Sequence, residues 1–225
     1  FLTARGGGDF ACVLQGTYTG PMPRDFSQSP GLNQPRQARS EATLNRVLDA
    51  TEALLDKRAY QDVSLRQIAA EARCSTGAIY KRFADKTALL EVLFDRFLGD
   101  VEEMLAAFTA EAFAEVAPDA TLRLFVATLV TTVAQREGVA RALFRAAERE
   151  PGHRRRAGAL IGSASAALGR LVTDPRRADF AAEAILAVLD QRLVFGADAS
   201  GRFAFDAGEV VEELGSMLGG YLEVR

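Results

Sequence analysis

Apolar residues recur every three or four positions from Ser40 onward, which is the spacing of one face of an α-helix. The first such face is formed by Leu44, Val47, Leu48, Thr51, Leu54 and Leu55. A longer one follows Asp85 and comprises Leu90, Leu93, Phe94, Phe97, Val101, Met104, Leu105 and Phe108. No alternating run bounded by hairpin turn residues occurs anywhere in the chain. The pattern therefore predicts an all-α protein.

About nine helices follow from the positions of these faces and of the capping residues between them. Ser40, Ser64, Ser75 and Asp85 stand where N-caps are expected. The predicted helices cover 40–55, 65–72, 76–83, 86–114, 119–138, 139–150, 153–172, 176–195 and 207–221. A small N-terminal unit, in which two short helices follow the first helix, and a larger set of helices after it predict a helix-turn-helix unit joined to a C-terminal helical bundle.

The first 37 residues have a different character, with six Gly, four of the seven Pro and no periodicity. They are predicted to form a disordered tail. Met22 is an alternative start, in which case residues 1–21 would not belong to the native protein. The predicted domains are the tail at 1–37, a helix-turn-helix unit at 38–86, and a ligand-binding and dimerisation domain at 87–225.

Charge is unevenly distributed along the chain, whose formal net charge is −3. Residues 36–98 carry 11 Lys/Arg against 9 Asp/Glu, a net +2, so the remainder is −5. Within that region, residues 73–86 alone are +3. Nucleic acid is therefore an expected partner of this segment and of no other. No uncharged apolar stretch reaches membrane-spanning length, so no membrane partner is predicted.

Residues 64–83 carry the most informative local chemistry, reading SLRQIAAEARCSTGAIYKRF. A serine cap at Ser75 leaves the first N–H groups of the following helix free to meet a phosphate. The short side chains of Thr76, Gly77 and Ala78 allow that helix end to approach base edges. Tyr80, Lys81 and Lys86 offer a hydroxyl and two cations to the DNA backbone. A three-helix packing unit without a ligand is the alternative.

The stretch from Ser40 to Leu98 resembles the DNA-binding domain of the TetR family of bacterial regulators. The matching segments are VSLRQIAAEA, STGAIYKRF and DKTALL. Where the family usually has Gly-Val in the turn, this chain has Arg73-Cys74, so Arg73 is expected to adopt a left-handed conformation. The pair Lys81-Arg82 is also more basic than is common in the family, so a base preference is not transferred.

The resemblance implies roles for individual residues. Ser64 and Arg66 would contact phosphates from the second helix. The recognition surface would comprise Ser75, Thr76, Gly77, Ala78, Tyr80 and Lys81. Tyr80 would reach a phosphate, and Lys86 would reach another from the start of the fourth helix.

The C-terminal region would, by the same resemblance, bind a small ligand and form a homodimer. The last two helices have rich apolar faces, and pairing two from each subunit would bury them. The interface candidates are Ile185, Val188, Arg192, Phe195, Leu214, Met217 and Leu218. The pocket candidates are Phe94, Phe97, Phe108, Phe125, Thr128, Leu129, Thr132 and Phe144. Apolar core packing is the alternative for both sets. A largely apolar cavity suits an apolar or aromatic effector.

Three single residues carry open alternatives. Arg192 would pair across a dimer, bind an anionic group, or lie with its stem along an apolar face. Cys74 is either a small apolar residue of the turn or a redox-sensitive thiol. His153 is the single histidine and has no Cys, Asp or Glu at metal-ligand spacing, so neither a metal nor a cofactor is predicted.

These features predict a ligand-responsive, cytoplasmic DNA-binding regulator. Following the family, it would be a repressor that binds a palindromic operator as a homodimer and is released by a small molecule. An enzyme is not predicted, because no nucleophile, acid–base or dinucleotide-binding constellation is present. A helical small-molecule or lipid-binding protein without DNA-binding activity is the remaining alternative.

Overall fold

The computed structural model describes residues 38–108, 113–172, 174–195 and 205–223. Within them lie nine α-helices and no strand, so the predicted all-α fold is confirmed. The helices are α1 (Ala38–Leu55), α2 (Leu65–Glu71), α3 (Thr76–Tyr80), α4 (Lys86–Ala106), α5 (Pro118–Gln135), α6 (Glu137–Arg149), α7 (Pro151–Leu168), α8 (Pro175–Phe195) and α9 (Ala207–Leu222). A 3₁₀ turn at Tyr60–Asp62 separates α1 from α2. The predicted tail at 1–37 lies outside the described residues.

One hydrophobic core runs through the helices of both predicted domains. In the N-terminal unit α2 packs on α1 and on α3. In the bundle α7 packs against α4, α6 and α8, and α9 lies along α5. Helix α1 also contacts α6, which joins the helix-turn-helix unit to the bundle. Packing is therefore continuous across the boundary predicted between residues 86 and 87.

Several helix ends differ from the predictions. Helix α1 begins at Ala38, so Ser40 lies in its first turn rather than at its cap. Helix α7 begins at Pro151, where a turn was expected, because proline is well suited to the first helical position. The break predicted at Gly138 lies instead at Arg136, which separates α5 from α6.

Helix α4 ends at Ala106, well before the predicted residue 114. The amides of Ala107 and Phe108 bond to carbonyls three residues back, which tightens the chain out of the helix. The Arg170 guanidinium, which follows α7, donates to the Phe108 carbonyl. The segment just after α4 is thus held by the side chain of a residue that follows α7.

Candidate DNA-binding surface and apolar cavity

Helices α2 and α3 form a helix-turn-helix whose first helix is fixed by a capping box. The Ser64 hydroxyl accepts from the Gln67 amide, and the Ser64 amide donates to Gln67 Oε1 at 2.8 Å. Ile68 and Ala69 are buried, whereas Arg66 is exposed. Ser64, a predicted phosphate contact, is exposed. Its hydroxyl already caps the start of α2.

The turn between the two helices is a Schellman motif with an arginine at its left-handed position. The Arg73 amide donates to the Ala70 carbonyl and the Cys74 amide to that of Ala69. Arg73 has φ 52°, so its predicted left-handed conformation is confirmed. Cys74 is partly buried against the core, which favours its packing role over the redox alternative.

The start of α3 faces open space. Ser75 is its N-cap and accepts from the Ala78 amide at 3.1 Å. The amides of Thr76 and Gly77 precede the first intrahelical bonds, so they point out of the helix end. A Cβ built on Gly77 would meet only Ser75 Oγ, at 3.9 Å. Nothing in the described fold requires glycine here.

Several side chains near the start of α3 are exposed to solvent. Tyr80 is 56% exposed although it follows fully buried Ile79. Lys81 and Arg66 are also exposed. The hydroxyl of Tyr80 and the charges of Lys81 and Arg66 are groups suited to phosphate contacts.

Arg82 has a structural role that the sequence analysis missed. One of its Nη atoms donates to the Ala78 carbonyl, and the other donates to both the carbonyl and the hydroxyl of Ser40 on α1. The guanidinium thus ties α3 to α1. Its charge contributes to the +3 of residues 73–86, but both of its Nη atoms already donate within the fold.

Lys86 is also engaged. Its Nζ donates to the Tyr60 carbonyl and lies 4.0 Å from the centre of the Tyr60 ring. Burial lowers the pKa of Lys86, against an opposing effect of Asp62. Burial likewise raises the pKa of Tyr60. The side chain of Lys86, a predicted phosphate contact, is therefore held against Tyr60 and is not extended.

An ion-pair network connects the helix-turn-helix unit to the bundle. Arg96 on α4 is almost completely buried and pairs with Asp49 at 2.7 Å and Glu52 at 2.5 Å, both on α1. Arg136, between α5 and α6, pairs with Asp100 on α4 and lies 3.9 Å from Glu52. Arg96 is the buried member of this network, and its two carboxylate partners are more exposed than it is. Removing those partners would leave its charge buried and unpaired, which is costly.

A cavity of about 280 Å³ lies where α4 ends, between α5 and α7. Phe108 and Phe125 are the two predicted pocket residues that line it. Phe113 stacks on Phe108 with ring centres 5.1 Å apart, and Phe125 meets the Phe108 ring edge-on. Thr121 and Arg170 are the polar residues of its wall. Phe113, Thr121 and Arg170 are not among the pocket residues predicted from the sequence.

The other predicted pocket residues lie away from this cavity. Phe94, Phe97 and Leu129 are buried in the core, and Phe144 is partly buried against it. Thr128 donates to the Leu124 carbonyl of its own helix. Thr132 is only partly buried. Apolar core packing, the alternative to a pocket, accounts for the spacing of these residues.

The predicted interface residues divide between core and surface. Ile185, Leu214 and Leu218 are buried within the monomer, Val188 is partly buried, and Met217 is 54% exposed. Arg192 donates to the Phe205 carbonyl ahead of α9. The side chain of Phe195 lies outside the described residues. Phe180 on α8 and Tyr221 on α9 are exposed aromatic residues outside the predicted interface set, and their ring centres lie 5.4 Å apart.

The remaining candidates concern metals and membranes. His153 is buried, packs edge-on against Phe94, and has its Nδ1 3.6 Å from Glu150. Among the described residues, no group of three His, Cys, Asp or Glu side chains is arranged to hold a metal ion. None of the described helices combines the length and apolar character needed to cross a bilayer.

The chain is similar to known regulators. The family model of bacterial regulatory proteins, tetR family, matches residues 47–93. A predicted TetR-family transcriptional regulator from Mesorhizobium loti is 17% identical, with 84% of this chain and 98% of that one covered at a TM-score of 0.65. A TetR-family member from Streptomyces coelicolor is 22% identical, with coverages of 78% and 97% and a TM-score of 0.57. A comparison with curated proteins finds no match.

Fold and family domain together support a DNA-binding transcriptional regulator of the helix-turn-helix class. The chain carries the TetR-family DNA-binding domain at residues 47–93, so the resemblance seen in the sequence is confirmed. At identities of 17% and 22%, the likeness to the solved structures shows the fold alone. It covers the C-terminal bundle as well as the helix-turn-helix unit.

Proposed function

We propose that the protein is a cytoplasmic transcriptional repressor that binds a palindromic operator as a homodimer and is released by a small molecule. The observation that carries the proposal is the open start of α3. Its capped end presents free backbone amides and an uncovered Gly77, with Tyr80 and Lys81 exposed beyond it. This end is suited to enter a major groove while the side chains contact phosphates. No enzymatic activity is proposed.

Dimerisation is supported by apolar side chains left uncovered on the last two helices. Phe180 is 57% exposed, Met217 54% and Tyr221 40%. Pairing of this surface with its copy about a two-fold axis would bury all three. The two recognition helices would then reach successive major grooves about 34–36 Å apart.

Release by an effector is supported by the position of α4. Its first residue, Lys86, contacts Tyr60 in the helix-turn-helix unit, and the residues after its end line the cavity. An effector that binds better to one tilt of α4 would shift the population away from the DNA-binding spacing.

The test is selection of bound sequences from random duplex DNA by the purified full chain. The expected result is an inverted repeat whose binding weakens steeply with salt. Tyr80→Phe combined with Lys86→Gln should weaken binding of the selected duplex, and the salt slope should fall by about one for each phosphate that the variant no longer neutralises. Lys57→Gln is the control, because Lys57 is exposed at the end of α1 that faces the bundle.

Thermal melts accompany these variants, because Lys86 also holds the Tyr60 carbonyl. Weaker binding by a folded double variant, with Lys57→Gln unchanged, supports the regulator. If the folded wild-type dimer selects no sequence with or without small molecules, the helical ligand-binding protein becomes the better description.

A further inference from the structure

The cavity at the end of α4 has walls that are apolar on nearly every side. Phe108, Phe113 and Phe125 supply three aromatic rings, and Pro118 and Leu171 complete much of the remainder. Its volume of about 280 Å³ lies just below the ~300–1,000 Å³ typical of small-molecule sites. A single aromatic ring with a short substituent suits this space better than a long acyl chain.

Arg170 is the single charged residue among the described residues of that wall. It lies just beyond the C-cap of α7, and one Nη donates to the Phe108 carbonyl. No carboxylate of the described chain pairs with this guanidinium. A guanidinium has five N–H donors, so one bond to a carbonyl leaves donors for a planar anion.

We propose that the effector is a small aromatic carboxylate whose ring lies among the phenylalanines and whose carboxylate binds Arg170. This inference rests on the proposed function, in which this cavity receives the effector. No acidic side chain lines the described wall, so an ammonium ligand would find no counter-charge. Thr121 donates its hydroxyl proton to the Ala117 carbonyl, which leaves Arg170 as the group that can recognise an anion.

The same guanidinium links occupancy to the DNA-binding unit. Phe108 carries the carbonyl that Arg170 binds immediately after α4. A carboxylate that draws the guanidinium toward itself competes with this carbonyl and changes how the end of α4 is held. Since Lys86 begins the same helix, the change is transmitted along one rigid element.

The test uses three acid–amide pairs of nearly equal shape: benzoate and benzamide, phenylacetate and phenylacetamide, and 3-phenylpropanoate and 3-phenylpropanamide. Binding to the full chain without DNA is measured by titration calorimetry. At least one acid should bind, and roughly tenfold or more tighter than its amide, because the amide cannot form a charge-assisted pair with the guanidinium. Arg170→Gln should abolish this preference, and Arg170→Lys should retain part of it.

Arg155→Gln is the matched control, since Arg155 is an exposed arginine on α7, the helix that Arg170 follows, and lies outside this cavity. It should bind acids as the wild type does. Cooperative melts verify that the Arg170 variants fold. The proposal is overturned if no acid binds, if amides bind as tightly as acids, or if folded Arg170→Gln and Arg170→Lys both keep the wild-type preference.

Release of the selected duplex by the binding acid is measured separately. Acid binding without any DNA selection supports the ligand class and contradicts the repressor function. DNA selection with no acid binding supports the repressor function and contradicts the ligand class.

Discussion

Asp56, just beyond the end of α1, caps helix α6 through the Gly138 amide, which donates to Asp56 Oδ1 at 3.2 Å. Helix α6 has no side-chain cap of its own, because its N-cap is Arg136. A carboxylate from the helix-turn-helix unit therefore satisfies an open amide of the bundle, where a negative charge also suits the helix dipole.

Gly138→Ala should destabilise the protein by about 2–3 kcal/mol. A Cβ at this position would overlap the Leu55 carbonyl carbon and lie 2.5 Å from the Asp56 amide nitrogen, so backbone must shift. Chemical denaturation measures the destabilisation. Gly162→Ala is the control, because a Cβ there meets nothing within 4 Å. A Gly138→Ala protein as stable as Gly162→Ala would contradict this close approach of α1 and α6.

Gly77→Ala should affect folding stability and DNA affinity differently. The open space at this position predicts unchanged or higher stability, by up to about 1 kcal/mol, from the better helix propensity of alanine. Affinity for the selected duplex should nevertheless fall, because the added methyl would stand between the helix end and the DNA. Denaturation and DNA titration check the two effects.

Gly158→Ala on α7 is the matched control for Gly77, since a Cβ at Gly158 also meets nothing within 4 Å. It should gain stability without any effect on DNA binding. Full DNA affinity in Gly77→Ala would show that this backbone does not approach the duplex.

Local patterns predicted the helix-turn-helix unit well. The serine caps at Ser64 and Ser75 follow from interactions within a few residues, which a sequence displays directly. The left-handed conformation of Arg73 was expected from the family resemblance, because glycine is usual at that position of the turn. The role of Arg82 did not follow, because its partner Ser40 lies 42 residues away. Local chemistry does not indicate which distant group an arginine meets.

Helical periodicity predicted apolar faces but not what covers them. Ile185 and Leu218 lie on such faces and are buried inside the monomer, whereas Phe180 is exposed. Two neighbouring helices share one core, so the same spacing serves core and interface alike. The cavity was missed in part for the same reason: Arg170 reaches it from the end of α7, beyond any apolar stripe.

Phe180→Asp combined with Met217→Asp should convert the proposed dimer into a monomer. Both side chains are more than half exposed, so the charges weaken the interface while the monomer core is untouched. Sedimentation equilibrium measures the mass, and affinity for the inverted repeat should fall with it. Tyr80→Ser is the control, because Tyr80 is 56% exposed on the helix-turn-helix unit and should leave the dimer intact. A double variant that sediments as a dimer would place the interface elsewhere.

Asp190→Asn should raise stability at neutral pH. Burial raises the pKa of Asp190 on α8, and the neighbouring Glu148 on α6 adds to the increase. The folded protein therefore holds this proton more tightly than the unfolded chain, so the stabilisation is present at low pH and is lost as pH rises through the folded pKa. At pH 7 the ionised carboxylate opposes folding, and the amide removes that effect.

The advantage of Asp190→Asn over the wild type should shrink as pH falls below neutral, because Asp190 takes up its proton over that range and its raised pKa brings protonation to a higher pH than in the unfolded chain. Thermal melts of both proteins across this range measure the difference, in which other acid-sensitive groups cancel. Glu183→Gln, an exposed carboxylate on the same helix, should show no comparable trend. A difference that stays constant with pH would mean that packing, not ionisation, distinguishes Asp190 from its amide.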